Sequence, residues 1–187
     1  MFLPPGERGR IGQDLQSRRS PPPCSAHSLT EASASVRSHP EESVPQKVIT
    51  EKVVCYVVRN ERLLVFRHRD YSDEEVGIQV PAGTIRSHET PEEAALREAR
   101  EETGLDGFAI VRKLGVTEYD VTPYRYEIQR RHVFQLELQC GAPERWVSEE
   151  THDGAQLPTT FECCWISLSA AHVLQSGQGA LLGRLYE

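Results

Sequence analysis

The sequence has no CxxC spacing, although it carries five cysteines, Cys24, Cys55, Cys140, Cys163 and Cys164. An odd number of thiols without a secretory leader predicts reduced cysteines in a cytoplasmic protein. The adjacent Cys163 and Cys164 read as strand residues rather than as a redox pair. No apolar run approaches the roughly 18 residues of a membrane span, so no membrane partner is expected. The opening Met-Phe-Leu passes straight into Pro-Pro-Gly, which leaves no core for a signal peptide. A basic excess is also missing. The formal charge of −7 argues against a protein that coats nucleic acid, which would need a basic face. An acidic protein that handles phosphates must neutralise them locally, which calls for a bound metal. There is no internal repeat.

What is present divides into two materials. Residues 1–46 are crowded with Pro, Ser, Arg and Glu, including SRRSPPP from Ser17 to Pro23. This stretch buries too little apolar surface to offset its ordering entropy, and it is expected to be a disordered tail. An over-extended start and a docking or modification site are the alternatives for it. Its five acidic and five basic side chains cancel, so the negative charge belongs to residues 47–187. That remainder is long enough for one domain with a core. The sequence leaves oligomeric state open, a homodimer included.

The stretch from Gly83 to Leu105, GTIRSHETPEEAALREAREETGL, is the most informative. Thr90 is a good N-cap, Pro91 suits the first helical position, and Glu93 completes a capping box. Glu92 and Glu93 place negative charge where the helix dipole favours it. Gly104 supplies a left-handed stop. In such a helix Glu98, Glu101 and Glu102 stand at i, i+3 and i+4 and share one face. Three crowded carboxylates repel one another when ionised and call for a hard cation, Mg²⁺ or Mn²⁺. The bland alternative is a solvated face laced with pairs such as Arg97 with Glu101.

The full register decides between these readings. Gly83, Glu89, Arg97, Glu98, Ala99, Glu101, Glu102, Gly104 and Leu105 fall at the positions of the Nudix box. Only Ala99, where a larger aliphatic is usual, departs from it, and that position touches packing alone. The chain thus resembles the Nudix hydrolase superfamily. The resemblance implies an α/β fold, an α/β/α sandwich with a mixed sheet.

The flanks are compatible with that expectation. Val48–Val58 is rich in β-branched residues and predicts a strand. Asn60 marks a turn, and Arg62–His68 returns as the second strand of a hairpin. Tyr71–Gly77 is a polar loop, and Ile78–Val80 a short strand leading into Gly83. Phe108–Val116 predicts another strand, Thr117–Arg131 a polar connection with a turn at Pro123, and His132–Gln139 a strand with strict alternation. Glu144–Pro158 reads as a loop, Phe161–Leu168 as a final strand, and Ala170–Leu182 as a C-terminal helix interrupted near Gly177 and Gly179.

By resemblance, the activity is hydrolysis of a pyrophosphate bond in a nucleoside diphosphate linked to another group. Water attacks phosphorus with help from metal ions, and a carboxylate removes its proton. Position for position, Glu98, Glu101 and Glu102 are implied as metal ligands, with the Gly83 carbonyl as a further one. Arg97 orients the cluster and Glu89 braces the loop. Glu102 is also the first choice of general base, with Glu118, Glu149, Glu150 and Glu162 as outside candidates. The small nucleotide-type substrate must be read from outside the box. Tyr119, Tyr124 and Trp146 offer rings for stacking, while Arg130, Arg131, His132 and His152 offer charge, each with ordinary packing or solvation as the alternative. Asp120 to Pro123 stand where substrate-class markers fall in related proteins, but they match neither the ADP-ribose nor the diadenosine polyphosphate marker. Two other functions remain open. One is an isoprenoid diphosphate isomerase, with Cys55 as the only suitably placed thiol; the other is a regulatory, non-catalytic nucleotide-binding domain.

Overall fold

Two strands that start as a hairpin and then separate organise the molecule. In the computed structural model, β1 (Val48–Arg59) and β2 (Arg62–His68) pair only next to their turn, Val58 with Leu63 and Arg59 with Arg62. Asn60 and Glu61 both take left-handed conformations, as a two-residue hairpin turn demands. Beyond this, the segment around residues 79–84 wedges between the strands. Phe66 and Gln79 exchange backbone hydrogen bonds, Cys55 N–H donates to the Pro81 carbonyl, and β3 (Ala82–Thr84) pairs antiparallel with Lys52–Val54. The strand expected at Ile78–Val80 therefore lies four residues later; Ile78 and Gln79 make only isolated bridges. Pro81 lacks an N–H and cannot continue a ladder, so pairing resumes only after it. Gly83 is thereby delivered into the middle of the sheet.

The structure describes residues 46–72, 76–151 and 157–187. The expected tail falls almost wholly outside them, as does His152. The strands form one mixed seven-stranded sheet in the order β4-β5-β1-β2-β7-β6, with β3 on the opened edge of β1. β4 is Phe108–Asp120, β5 Glu127–Leu138, β6 Arg145–Glu150 and β7 Thr159–Ser167. β5 runs parallel to β1 from Val48↔Glu127 to Val57↔Leu136. Two expected loops thus contain strand. Within Thr117–Arg131 only residues 121–126 turn, and Thr117, Glu118 and Tyr119 pair with Arg131, Arg130 and Gln129. Glu144–Pro158 includes β6, which adds to β7 as an edge.

β1 is buried on both faces, which explains its nearly continuous apolar run VVCYVV. Val53, Cys55 and Val57 face the one α-helix among the described residues, α1 (Pro91–Thr103), through Ala94, Ala95 and Ala99. These small side chains bring the helix close enough for the Cys55 thiol to donate to the Ala95 carbonyl at 3.4 Å. Val54 and Tyr56 face the other way, toward Ala171, Leu174, Leu181 and Leu182. The C-terminal helix expected there is absent. Two 3-10 turns, Leu168–Val173 and Leu182–Tyr186, cover this face instead. Ser176 and Gly177 between them are left-handed, which no helix accommodates.

Candidate active site

α1 presents the carboxylates because both of its ends are fixed. Thr90 accepts from Glu93 N–H while the Glu93 carboxylate accepts from Thr90 N–H, and Gly104 closes the helix at φ 66°. Buried alanines set the rotation, so the glutamates stand over β3. Glu98 and Glu102 are buried, and Glu101 is partly exposed. A Cβ built on Gly83 would sit 1.9 Å from the Glu98 carboxyl, so only glycine admits that side chain.

Arg97 ties this surface together. Its Nε and Nη2 grip the two oxygens of Glu89 at 2.5 and 2.8 Å. Its Nη1 donates to Glu98 and Glu101 at 2.8 and 2.9 Å, and Nη2 also reaches the Thr84 carbonyl. Arg97 holds the Glu89 carboxyl down to about 2. Burial raises Glu98, against the pull of Arg97. Burial, and then the charge of Glu98, push Glu102 well above the usual carboxylate range. Glu102 spends one oxygen on the Ala82 N–H at 2.8 Å.

The carboxylates that converge are Glu98, Glu101 and Glu150, whose ligand oxygens lie within 4.8 Å of one another. Glu102 lines the same cleft of about 460 Å³, together with Gly83, Arg86 and Lys52. An all-oxygen donor set, with room kept open at Gly83, fits a hard divalent cation. Glu150 comes from the end of β6, far along the chain, and spacing within the helix cannot reveal it. Lys52 is a further residue of the cleft that sequence reasoning does not reach, since it follows Thr50 and Glu51 in the polar first half of β1.

The remaining candidates scatter. Glu118 bonds Arg130 on the β4–β5 ladder, and Glu162 lies on β7 in a separate groove. Glu149 is next to the cleft, beside Arg86 and Arg100. Arg130 and His132 both engage Glu51. Trp146 donates its indole N–H to the Thr103 carbonyl, capping the end of α1. Tyr124 is 88% exposed in the β4–β5 turn. Tyr119 and Arg131 do meet, with the guanidinium 4.2 Å from the ring centre. Cys55, the thiol an isomerase would use, is fully buried beneath α1, and burial pushes its pKa well up.

With this geometry in view, comparison with known proteins is decisive for the family. The NUDIX domain profile matches residues 49–183. The chain belongs to the NUDIX family. No curated protein sequence matches it. Among solved structures, a MutT NUDIX hydrolase from Burkholderia pseudomallei is similar, with TM-score 0.55 and 20% identity over 73% of this chain and 98% of that one. A UDP-X diphosphatase has TM-score 0.54 and 16% identity over 78% of this chain; the chain spans 66% of that protein's length. An ADP-ribose pyrophosphatase from Streptococcus suis 89-1591 has TM-score 0.50 and 16% identity, covering 72% and 87%. At these identities the likeness is one of fold.

Proposed function

We propose that this NUDIX protein is a cytoplasmic, divalent-metal-dependent hydrolase that cleaves the pyrophosphate bond of a nucleoside diphosphate derivative. The observation that carries the reading is the convergence of Glu98, Glu101 and Glu150 beside Gly83 in one open cleft. These three carboxylates and the Gly83 carbonyl are the residues to hold Mg²⁺ or Mn²⁺. Such an ion neutralises phosphate oxygens and eases ionisation of the attacking water. The protein's own groups do the rest. Arg97 fixes the orientation of Glu98 and Glu101 by charge-assisted hydrogen bonds. Glu102, held by the Ala82 N–H at the wall of the same cleft, is the base that takes the proton of water. Lys52 and Arg86 at the cleft wall offer positive charge to the phosphates. The four described cysteines are all unpaired, which suits a reducing compartment.

The test is product release from a panel of nucleotides and nucleotide sugars with Mg²⁺, comparing wild type, Glu98→Gln and Glu102→Gln. Cleavage of some panel member is expected, abolished by chelation and reduced about 10²–10⁴-fold in Glu102→Gln. Equal rates in wild type and Glu102→Gln would remove Glu102 as the base. Equal rates in Glu98→Gln would remove the carboxylate cluster from the chemistry.

A further inference from the structure

A second pocket, of about 250 Å³, opens next to the carboxylate cleft and shares Lys52 and Ala82 with it. Its character is opposite. Lys52, Arg125 and Arg131 line it, together with Gln129 and Gln178, and no acidic residue does so. In a chain of formal charge −7 this concentration of cations is unexpected.

Two features show that the pocket offers hydrogen-bond donors. The first is amide orientation. Gln129 Oε1 accepts from Arg131 Nε and Nη2 at 3.1 and 2.7 Å, and Gln178 Oε1 accepts from Val80 N–H at 2.9 Å. Each of these partners can only donate, so both amide oxygens are committed and each side chain retains its NH₂ group. The second is uncompensated charge. Arg131 is 6% exposed, yet its hydrogen bonds go to the Gln129 amide and the Ser176 carbonyl. Among the described residues no carboxylate lies within ion-pairing distance of Arg131, while Lys52 feels the charges of Glu98 and Glu127 without a close ion pair to either. A buried charge without a counter-ion is costly, and an anion arriving from outside relieves that cost. Tyr119 stacks on Arg131 and holds its plane in place. Only Arg125, at the exposed rim, has a carboxylate partner, Glu127 at 3.4 Å.

We infer that the pocket bounded by Lys52, Gln129, Arg131 and Gln178 receives a phosphate ester carried by the substrate outside its scissile pyrophosphate. This inference rests on the hydrolase reading for its link to catalysis. Lys52, standing between the two sites, would contact both ends of such a molecule. The preferred substrate is then a nucleotide derivative with an additional phosphate, and its counterpart without that group binds less well.

The pocket is tested first without turnover. The full chain in metal-free buffer is titrated with inorganic phosphate at constant ionic strength, against chloride, with Tm as the readout. A phosphate-specific rise is expected in wild type and in Glu98→Gln, and its loss in Arg131→Gln and Lys52→Met. Far-ultraviolet circular dichroism establishes that each variant is folded, and Lys52→Met, at a half-buried position, serves should Arg131→Gln unfold. A flat response in wild type, or the same response in the pocket variants, overturns the inference. The second arm compares two dinucleotides that differ by one ribose phosphate. A KM lower by about tenfold for the phosphorylated member is expected, as for one charge-assisted hydrogen bond, with the difference collapsing in Arg131→Gln. Equal KM values in wild type overturn the assignment to substrate. A phosphate-specific Tm rise without turnover of any nucleotide instead sinks the hydrolase reading and leaves the pocket standing.

Discussion

Arg97 is the residue through which the site is held in shape, and Glu89 is the partner that anchors it. Two parallel hydrogen bonds join them, and both side chains are nearly buried, at 12% and 10% exposure. These bonds lower the Glu89 pKa from the usual 4.5 to about 2. The sign follows from linkage. A carboxyl whose folded pKa is depressed contributes stability that is complete above its unfolded pKa and is lost as pH falls through the folded one. The Tm advantage of wild type over Glu89→Gln is therefore expected to shrink as pH drops from about 4.5 toward about 2. A difference that stays constant across that window would show that the Glu89 charge does not anchor Arg97. The box glutamates and Arg97 were legible because their chemistry sits within one helix. Lys52 and Gln178 were not, and Glu150 stood only among the outside candidates for the base, since each meets the site only through strand pairing or chain return.

At the scale of elements, the capped helix was readable to the residue. Its signals are local: an N-cap hydroxyl, a proline that needs no partner for an N–H, and a glycine free to be left-handed. Thr90→Ala removes the hydroxyl that accepts from Glu93 N–H, leaving only the backbone half of the capping box, and is expected to cost about 1 kcal/mol, read as a lower urea midpoint at unchanged slope. An unchanged midpoint would mean that packing of Ala94, Ala95 and Ala99 alone sets the helix. The strands were less legible. Thr117–Tyr119 and Glu127–Arg131 are polar and read as a loop, yet they pair across the β4–β5 ladder, with Arg130 joined to Glu118 and Glu51. Cross-strand ion pairs supply there what apolar alternation supplies elsewhere. The C-terminal segment failed for a different reason. Its leucines have helical spacing, but they cover a sheet face through 3-10 turns broken at Ser176 and Gly177.

For the molecule as a whole, the decisive balance is between a negative total charge and what compensates it. Glu98 and Glu102 are buried side by side, and burial makes the ionised state of each unfavourable. A cation that binds the folded form alone stabilises it by mass action, by about 2.7 kcal/mol at a concentration one hundred times its Kd. Mg²⁺ or Mn²⁺ is therefore expected to raise Tm, the effect being lost on chelation and weakened in Glu98→Gln; equal rises in both proteins would place the metal elsewhere. The amino-acid sequence by itself determined the family, the helix with both its ends, and the carboxylates that face one side, because each is written in the single contiguous stretch from Gly83 to Leu105. Tertiary structure alone decided the rest. It opened the β1–β2 hairpin around residues 79–84, brought Glu150 to Glu98 and Glu101, and set Lys52, Arg131 and Gln178 around one pocket. Those meetings join residues dozens of positions apart, and they follow from the sheet's pairing order, which no local pattern encodes.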